Sequence, residues 1–258
     1  MKYKDILAKV LPYRLYYLIK RKVKNQFDER NLIYDFLNFK NGVMFDVGSM
    51  DGSSFMPFLL KKWEVFAFEP DKKNHQTILN NLKNWKFKIN LIQKAVSDVE
   101  ETKLFYTSTS STGIPSLLKF NENQVPSHEL STIVLNDFIK ERDVKKIDFL
   151  KIDAEGYDFM VLKGFDFSKF KPRIIMCEFE DGKTKHLGYS TKDMAQFLID
   201  QGYYLIYSIW YPIKEYGMDH DWKKLSVEFD EIDPQGWGNI ICFSNKKDFN
   251  EFKQKHNC

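Results

Sequence analysis

Apolar residues follow two rhythms along this chain. Near the start, Leu7, Val10, Leu11, Leu15, Leu18 and Ile19 recur at three- and four-residue intervals with lysines and arginines between them. That spacing predicts an amphipathic basic helix. From Gly42 onward, short apolar runs alternate with helical stretches. Residues 43–47, 64–68, 88–96, 148–152, 173–179, 203–209 and 239–243 read as strands. Residues 55–62, 74–84, a stretch ending at Leu162 and residues 191–201 read as helices. Such alternation predicts an α/β fold, a seven-stranded, mostly parallel sheet with helices on both faces. The chain divides into a basic helical extension over 1–40 and one domain over 41–258. Two segments break the rhythm. Residues 102–133 hold a candidate hairpin strand at 103–106, then a Ser/Thr-rich stretch. Residues 211–234 are aromatic and acidic, with no clear period. Long loops at the carboxyl edge of an α/β sheet commonly carry function.

Composition narrows the class. The 258 residues suit a single α/β domain, and 43% hydrophobic with 29% charged residues describes a soluble chain with an ample core. No apolar run approaches the ~20 residues that span a bilayer, and no secretory signal pattern opens the chain; the expected location is the cytoplasm. Cys177, Cys242 and Cys258 are odd in number and far apart, which argues against a disulfide framework or structural zinc. Charge is uneven. The first 25 residues carry eight basic side chains and one acid, leaving 31 basic and 35 acidic residues for the rest. A mildly acidic body argues against a nucleic-acid partner, whose phosphates call for a basic face. The basic helix has two readings, packing on the domain or peripheral contact with an anionic membrane or partner protein. Arg14, inside its apolar block, weakens the membrane reading.

The strongest motif is Phe45-Asp46-Val47-Gly48-Ser49-Met50-Asp51-Gly52. A buried strand runs into a glycine turn and then a helix, whose N-terminal amides suit an anionic or polar ligand. A dinucleotide fingerprint wants glycine where Asp46 stands. A carboxylate there repels a pyrophosphate and suits an ammonium. Glu69 stands 21 residues after Gly48, in Phe68-Glu69-Pro70, at the place of an acid that accepts from ribose hydroxyls. Ala95 and Val96 are small enough to flank a base, and Ser97 or Asp98 is placed to approach its exocyclic amine. Together these favour an adenosine-containing ligand with a cationic amino-acid tail, which S-adenosylmethionine fits. The cofactor set is Asp46, Gly48, Ser49, Asp51, Gly52, Glu69, Pro70, Ala95, Val96 and Asp98.

These segments, with Lys94-Ala95-Val96-Ser97-Asp98, Asp148 through Gly156 and Val161-Leu162-Lys163-Gly164, resemble the FkbM family of methyltransferases over about residues 42–243. Lys151-Ile152-Asp153-Ala154-Glu155-Gly156 is the most specific part. The chain departs from the family's pattern at Asn136-Asp137 and at Asp51. The resemblance implies a Rossmann-like class I methyltransferase fold and O-methyl transfer to a hydroxylated acceptor, such as a sugar in a nucleotide-sugar or surface polysaccharide.

Such transfer requires an acceptor oxygen to be placed and deprotonated. Asp153 and Glu155, two residues apart beyond the fourth strand, share a face in extended geometry. Crowding raises the pKa of one and suits a general base. Alternatively, Asp153 with Glu178 or Glu180 holds a divalent metal that acidifies the hydroxyl. Lys151, inside an apolar strand, is a candidate buried ion-pair partner. His186 and His220 are loop candidates for a base or sugar contact. Trp210, Tyr211, Trp222 and Trp237 are candidates for an apolar substrate wall, a homodimer interface or simple core.

Overall fold

The computed structural model describes residues 27–83, 87, 89–108, 115–120, 122–214 and 220–258. The basic helix expected at 7–19 lies outside them, as does most of the Ser/Thr-rich stretch. In chain order the strands are β1 (Val43–Val47), β2 (Glu64–Phe68), β3 (Ile89–Ile92), β4 (Ala95–Val96), β5 (Thr102–Ser108), β6 (Gln124–Ile133), β7 (Phe149–Ile152), β8 (Ile174–Glu180), β9 (Tyr204–Trp210), β10 (Trp222–Ser226) and β11 (Trp237–Phe243). The helices are α1 (Glu29–Phe36), α2 (Met56–Leu60), α3 (Lys72–Leu82), α4 (Leu135–Glu141), α5 (Asp158–Lys163), α6 (Asp181–Thr184), α7 (Thr191–Asp200) and α8 (Lys246–His256).

The main sheet runs β10-β9-β11-β8-β7-β1-β2-β3. β3, β2, β1, β7 and β8 pair in parallel, and β11 runs antiparallel to both β8 and β9. β9 therefore points the same way as the parallel five. Alternation along the strands explains the two-sided core. Phe45, Val47, Leu150 and Ile152 join one apolar cluster, while Met44, Val65, Ala67 and Phe149 join the other. A sheet buried on both faces reads as near-continuous apolar runs, which is why these strands stood out in the sequence.

The structure corrects three expectations. The sheet has eight strands rather than seven; the added β10 sits at the edge, antiparallel to β9. Its Trp-Lys-Lys-Leu-Ser sequence lacks alternation because an edge strand carries charge on its open side. The strand expected over 88–96 is two. β3 stays in the main sheet, whereas β4 pairs in parallel with Thr132 and Ile133 of β6. With β5 it forms a three-stranded sheet, β4-β6-β5. Finally, the domain begins before residue 41. Asp28 caps α1 by accepting from the Arg30 amide, and Ile33 and Leu37, one turn apart, are fully buried among Met44, Trp63 and Phe252. Glu29 is buried too, its carboxylate accepting from Ser208 Oγ (2.7 Å), Trp210 Nε1 (2.6 Å) and Asn239 Nδ2 (3.2 Å). Three donors satisfy an acid whose pKa burial raises.

Candidate active site

The carboxyl ends of β1, β2, β4 and β7 surround one cavity that opens to solvent.

At one end is the turn after β1. Gly48 has φ +74°, and a Cβ there would stand 1.8 Å from the Asp153 carbonyl oxygen. Only glycine lets the two strand ends come this close. Its amide donates to Phe68 O (3.0 Å), and its own carbonyl accepts from Lys151 Nζ (2.8 Å). Met50, also left-handed at φ +50°, donates its amide to Glu69 Oε2 (2.6 Å). Glu69 Oε1 accepts from the Asp71 amide (2.9 Å). The carboxylate thus ties the glycine turn to the start of α3, which Asp71 caps through Asn74 N (2.8 Å). Burial pushes the Glu69 carboxyl up to about 7, against the pull of those two amides. Pro70, Ala95 and Val96 line the same wall.

At the other end are Asp153 and Glu155, both lining the cavity. One oxygen each from Asp153, Glu155 and Glu178 fall within 4.8 Å of one another. Two buried lysines thread this acidic group. Lys151 Nζ lies 3.1 Å from Asp153 Oδ2 and 3.3 Å from Asp46 Oδ1. Lys183 Nζ lies 2.7 Å from Glu155 Oε2, 3.1 Å from Glu178 Oε2 and 3.0 Å from Glu180 Oε2. Burial works to raise Asp153, but Lys151 and Lys183 outweigh it and hold the carboxyl below its ordinary value. Burial raises Glu155 and, more strongly, Glu178. Asp158, which accepts from the Glu178 and Ala154 amides, is pushed to about 7 by burial and by the Asp153 charge. The group therefore contains one firm carboxylate, Asp153, beside acids driven toward their neutral forms. Glu155 is also left-handed, at φ +52°, and Ser116 Oγ donates to its carbonyl (2.9 Å). Ser116 itself lines the cavity, to which Phe105, Pro115 and Leu117 add apolar walls.

The sequence-derived set divides cleanly. Gly48, Glu69, Pro70, Ala95, Val96, Asp153 and Glu155 meet at the cavity. Asp46 does not reach it. Its carboxylate is fully buried, accepting from Ser54 Oγ with Lys151 as counter-ion, so the cation it attracts is internal. Ser49 is buried and donates to Asp46 O (2.9 Å), while Asp51 accepts from Ser53 N (2.9 Å). Gly52 gives the turn its bend at φ +83°, where a Cβ would strike the Phe55 ring. These three shape the loop from behind. Asp98 accepts from Ser97 Oγ and packs its backbone on Gly164, away from the cavity. His186 is exposed in the 3₁₀ turn after α6 and does not line the cavity; no fold element aims it there. Of the late aromatics, Trp210, Trp222 and Trp237 pack against other rings and none lines the cavity, while Tyr211 is exposed. Trp210 and Trp237 lie 5.1 Å apart, and Phe27 stacks on Trp222 at 3.7 Å. Sequence reasoning missed Met50, Lys94 and Tyr157 in the lining, and Lys183 behind it. Lys183 left only one trace, its position three residues after Glu180.

The sheet order and the cavity at the glycine turn define a Rossmann-like class I methyltransferase fold. The chain matches the methyltransferase FkbM domain family over residues 46–205 and belongs to it; it is an S-adenosylmethionine-dependent methyltransferase by that membership. No curated protein matches the chain. Solved structures of similar shape include precorrin-6y C5,15-methyltransferase from Geobacter metallireducens (14% identity, 86% of this chain and 92% of that one, TM-score 0.44). TrmK from M. capricolum with S-adenosyl-homocysteine shares 14% identity over 86% of this chain and 70% of that one, TM-score 0.47. A putative caffeoyl-CoA O-methyltransferase from Staphylococcus aureus shares 13% over 94% and 93%, TM-score 0.43.

Proposed function

We propose that the cavity binds S-adenosylmethionine between the Gly48–Met50 turn, Glu69 and the Ala95–Val96 edge, and that the protein methylates a hydroxyl of a sugar. One observation carries this reading: a single cavity is lined by Gly48, Glu69, Ala95 and Val96 and also by Asp153 and Glu155. The donor set fits the cofactor. Glu69 has lone pairs left for ribose hydroxyls, Val96 and Phe68 supply apolar flanks for a base, and the carboxylates around Asp153 favour a cation. Bound there, S-adenosylmethionine supplies an electrophilic methyl group on a sulfonium. Asp153, held as a carboxylate by Lys151, orients the acceptor by accepting from a sugar hydroxyl. Glu155, with the higher proton affinity, takes the proton of the reacting hydroxyl as the hydroxyl oxygen bonds to the methyl carbon and the carbon–sulfur bond breaks, releasing S-adenosylhomocysteine. The sugar as acceptor rests on the family resemblance.

The test is turnover with nucleotide-sugars and polysaccharide fragments, alongside calorimetric binding of S-adenosylhomocysteine. Glu155→Gln should lower kcat by ~10²–10⁴-fold, the range for a lost general base, with binding of S-adenosylhomocysteine retained. Full turnover in that variant removes Glu155 from the role. Absent binding of S-adenosylhomocysteine by the wild type removes the cofactor assignment.

A further inference from the structure

Asp153, Glu155 and Glu178 present three oxygens at the mutual spacing of a metal ligand set. The place such an ion would share between Glu155 and Glu178 already holds a cation, the Lys183 ammonium. It donates to Glu155 and Glu178, and the Glu180 carboxylate lies within ion-pair distance at 3.0 Å. The side chain is enclosed. It is 3% exposed, its Cβ lies against Gly156, and Phe120 stands over the ammonium at 5.1 Å. The fold accounts for the placement. β8 ends at Glu180 and α6 turns at once, so residue 183 comes back over the rim three positions on. Glu155 needs such a hold, because its backbone is left-handed and its carboxylate is partly buried.

We propose that Lys183 is a positioning residue: its ammonium is the resident cation of the acidic cluster, fixing Glu155 and Glu178 where a divalent ion would otherwise sit, so that methyl transfer proceeds without a metal. The proposal rests on the reading of Asp153 and Glu155 as the methyl-transfer end of the cavity. Lys183 itself touches no substrate and acts through Glu155.

Mn²⁺ is titrated into the full-length wild type and Lys183→Ala, and uptake is followed by loss of the free-ion EPR signal. The wild type should take up none at concentrations where Lys183→Ala takes up one ion per chain. A Lys183→Ala/Glu155→Gln double variant should lose that ion. In turnover, chelation with EDTA should leave the wild type unchanged. Lys183→Met should lower kcat about 100-fold, as loss of a positioning contact does, with the KM for S-adenosylmethionine retained, and Lys183→Arg should recover part of the loss. The proposal is overturned if the wild type binds one Mn²⁺ and EDTA abolishes its turnover. A folded Lys183→Ala that binds none overturns it equally. Should Lys183→Ala not fold, the two wild-type measurements decide alone. Failure of S-adenosylhomocysteine to bind overturns the proposed function, which the Mn²⁺ titration does not read.

Discussion

Glu69 is a carboxylate whose environment works against its charge. Two backbone amides favour the anion, yet burial wins and its pKa stands near 7. A ligand that offers hydroxyl donors to this group prefers the anion. Affinity for S-adenosylhomocysteine should therefore be full above pH 7 and fall as the pH drops, approaching about tenfold per pH unit below that value. Calorimetric titrations at pH 6, 7 and 8 check this. Glu69→Gln should flatten the profile and weaken binding at pH 8 by about 1–3 kcal/mol; a wild-type profile that is already flat removes Glu69 from the ribose. Among single residues, charges were legible where they interrupted or ended an apolar run: Glu69 after Ala67-Phe68 and Lys151 within β7 are buried, and Asp153 after Ile152 stands at the cavity rim. Lys183 was not legible, since a lysine in Asp-Gly-Lys-Thr-Lys-His reads as solvated surface. Asp46 reads in the sequence as facing a ligand's ammonium; its internal partner was not legible, because Lys151 lies 105 residues away and only the pairing of β1 with β7 brings them together.

At the level of elements, the glycine turn and β7 form one unit. The turn after β1 passes so close to the Asp153 carbonyl that the position of the end of β7 depends on residue 48 lacking a side chain. Gly48→Ala asks for two changes. A left-handed backbone costs a non-glycine residue about 1–2 kcal/mol, and the Cβ forces the end of β7 to shift. The variant should fold with a lowered thermal midpoint and lose S-adenosylhomocysteine binding, as calorimetry and a thermal melt would report. A variant that melts and binds like the wild type means the two strand ends have room to part. The buried parallel strands were the elements that periodicity found, for reasons of burial on both faces. β10 escaped because an edge strand with two lysines has no apolar alternation, and the break between β3 and β4 escaped because Gln93-Lys94 is too short to read as a connection. α4 and α8 were not read at all; in α8 only Asp248 and Phe252 are buried, leaving little apolar stripe to find.

For the whole molecule, the question is where the fold begins. Among the described residues the cavity lining runs from Val47 to Tyr157, and none of it comes from residues 27–40. The core does draw on them. Ile33 and Leu37 are fully buried, Glu29 satisfies donors on β9 and β11, the Phe39 carbonyl accepts from Trp63 Nε1 (2.9 Å), and the Tyr34 carbonyl accepts from Lys61 Nζ (2.8 Å). Removing two buried aliphatic side chains alone costs about 2–5 kcal/mol each. Leaving Ser208, Trp210 and Asn239 without their acceptor adds roughly 1–3 kcal/mol per buried group. A sum of that size rivals the ~5–15 kcal/mol that holds a domain together. A chain starting at residue 27 should therefore melt cooperatively and bind S-adenosylhomocysteine like the full chain, whereas one starting at residue 41 should show no cooperative melt. If the chain from residue 41 melts as the full one does, α1 is an appendage rather than part of the core. If the chain from residue 27 loses binding, the basic segment reaches the cofactor site after all.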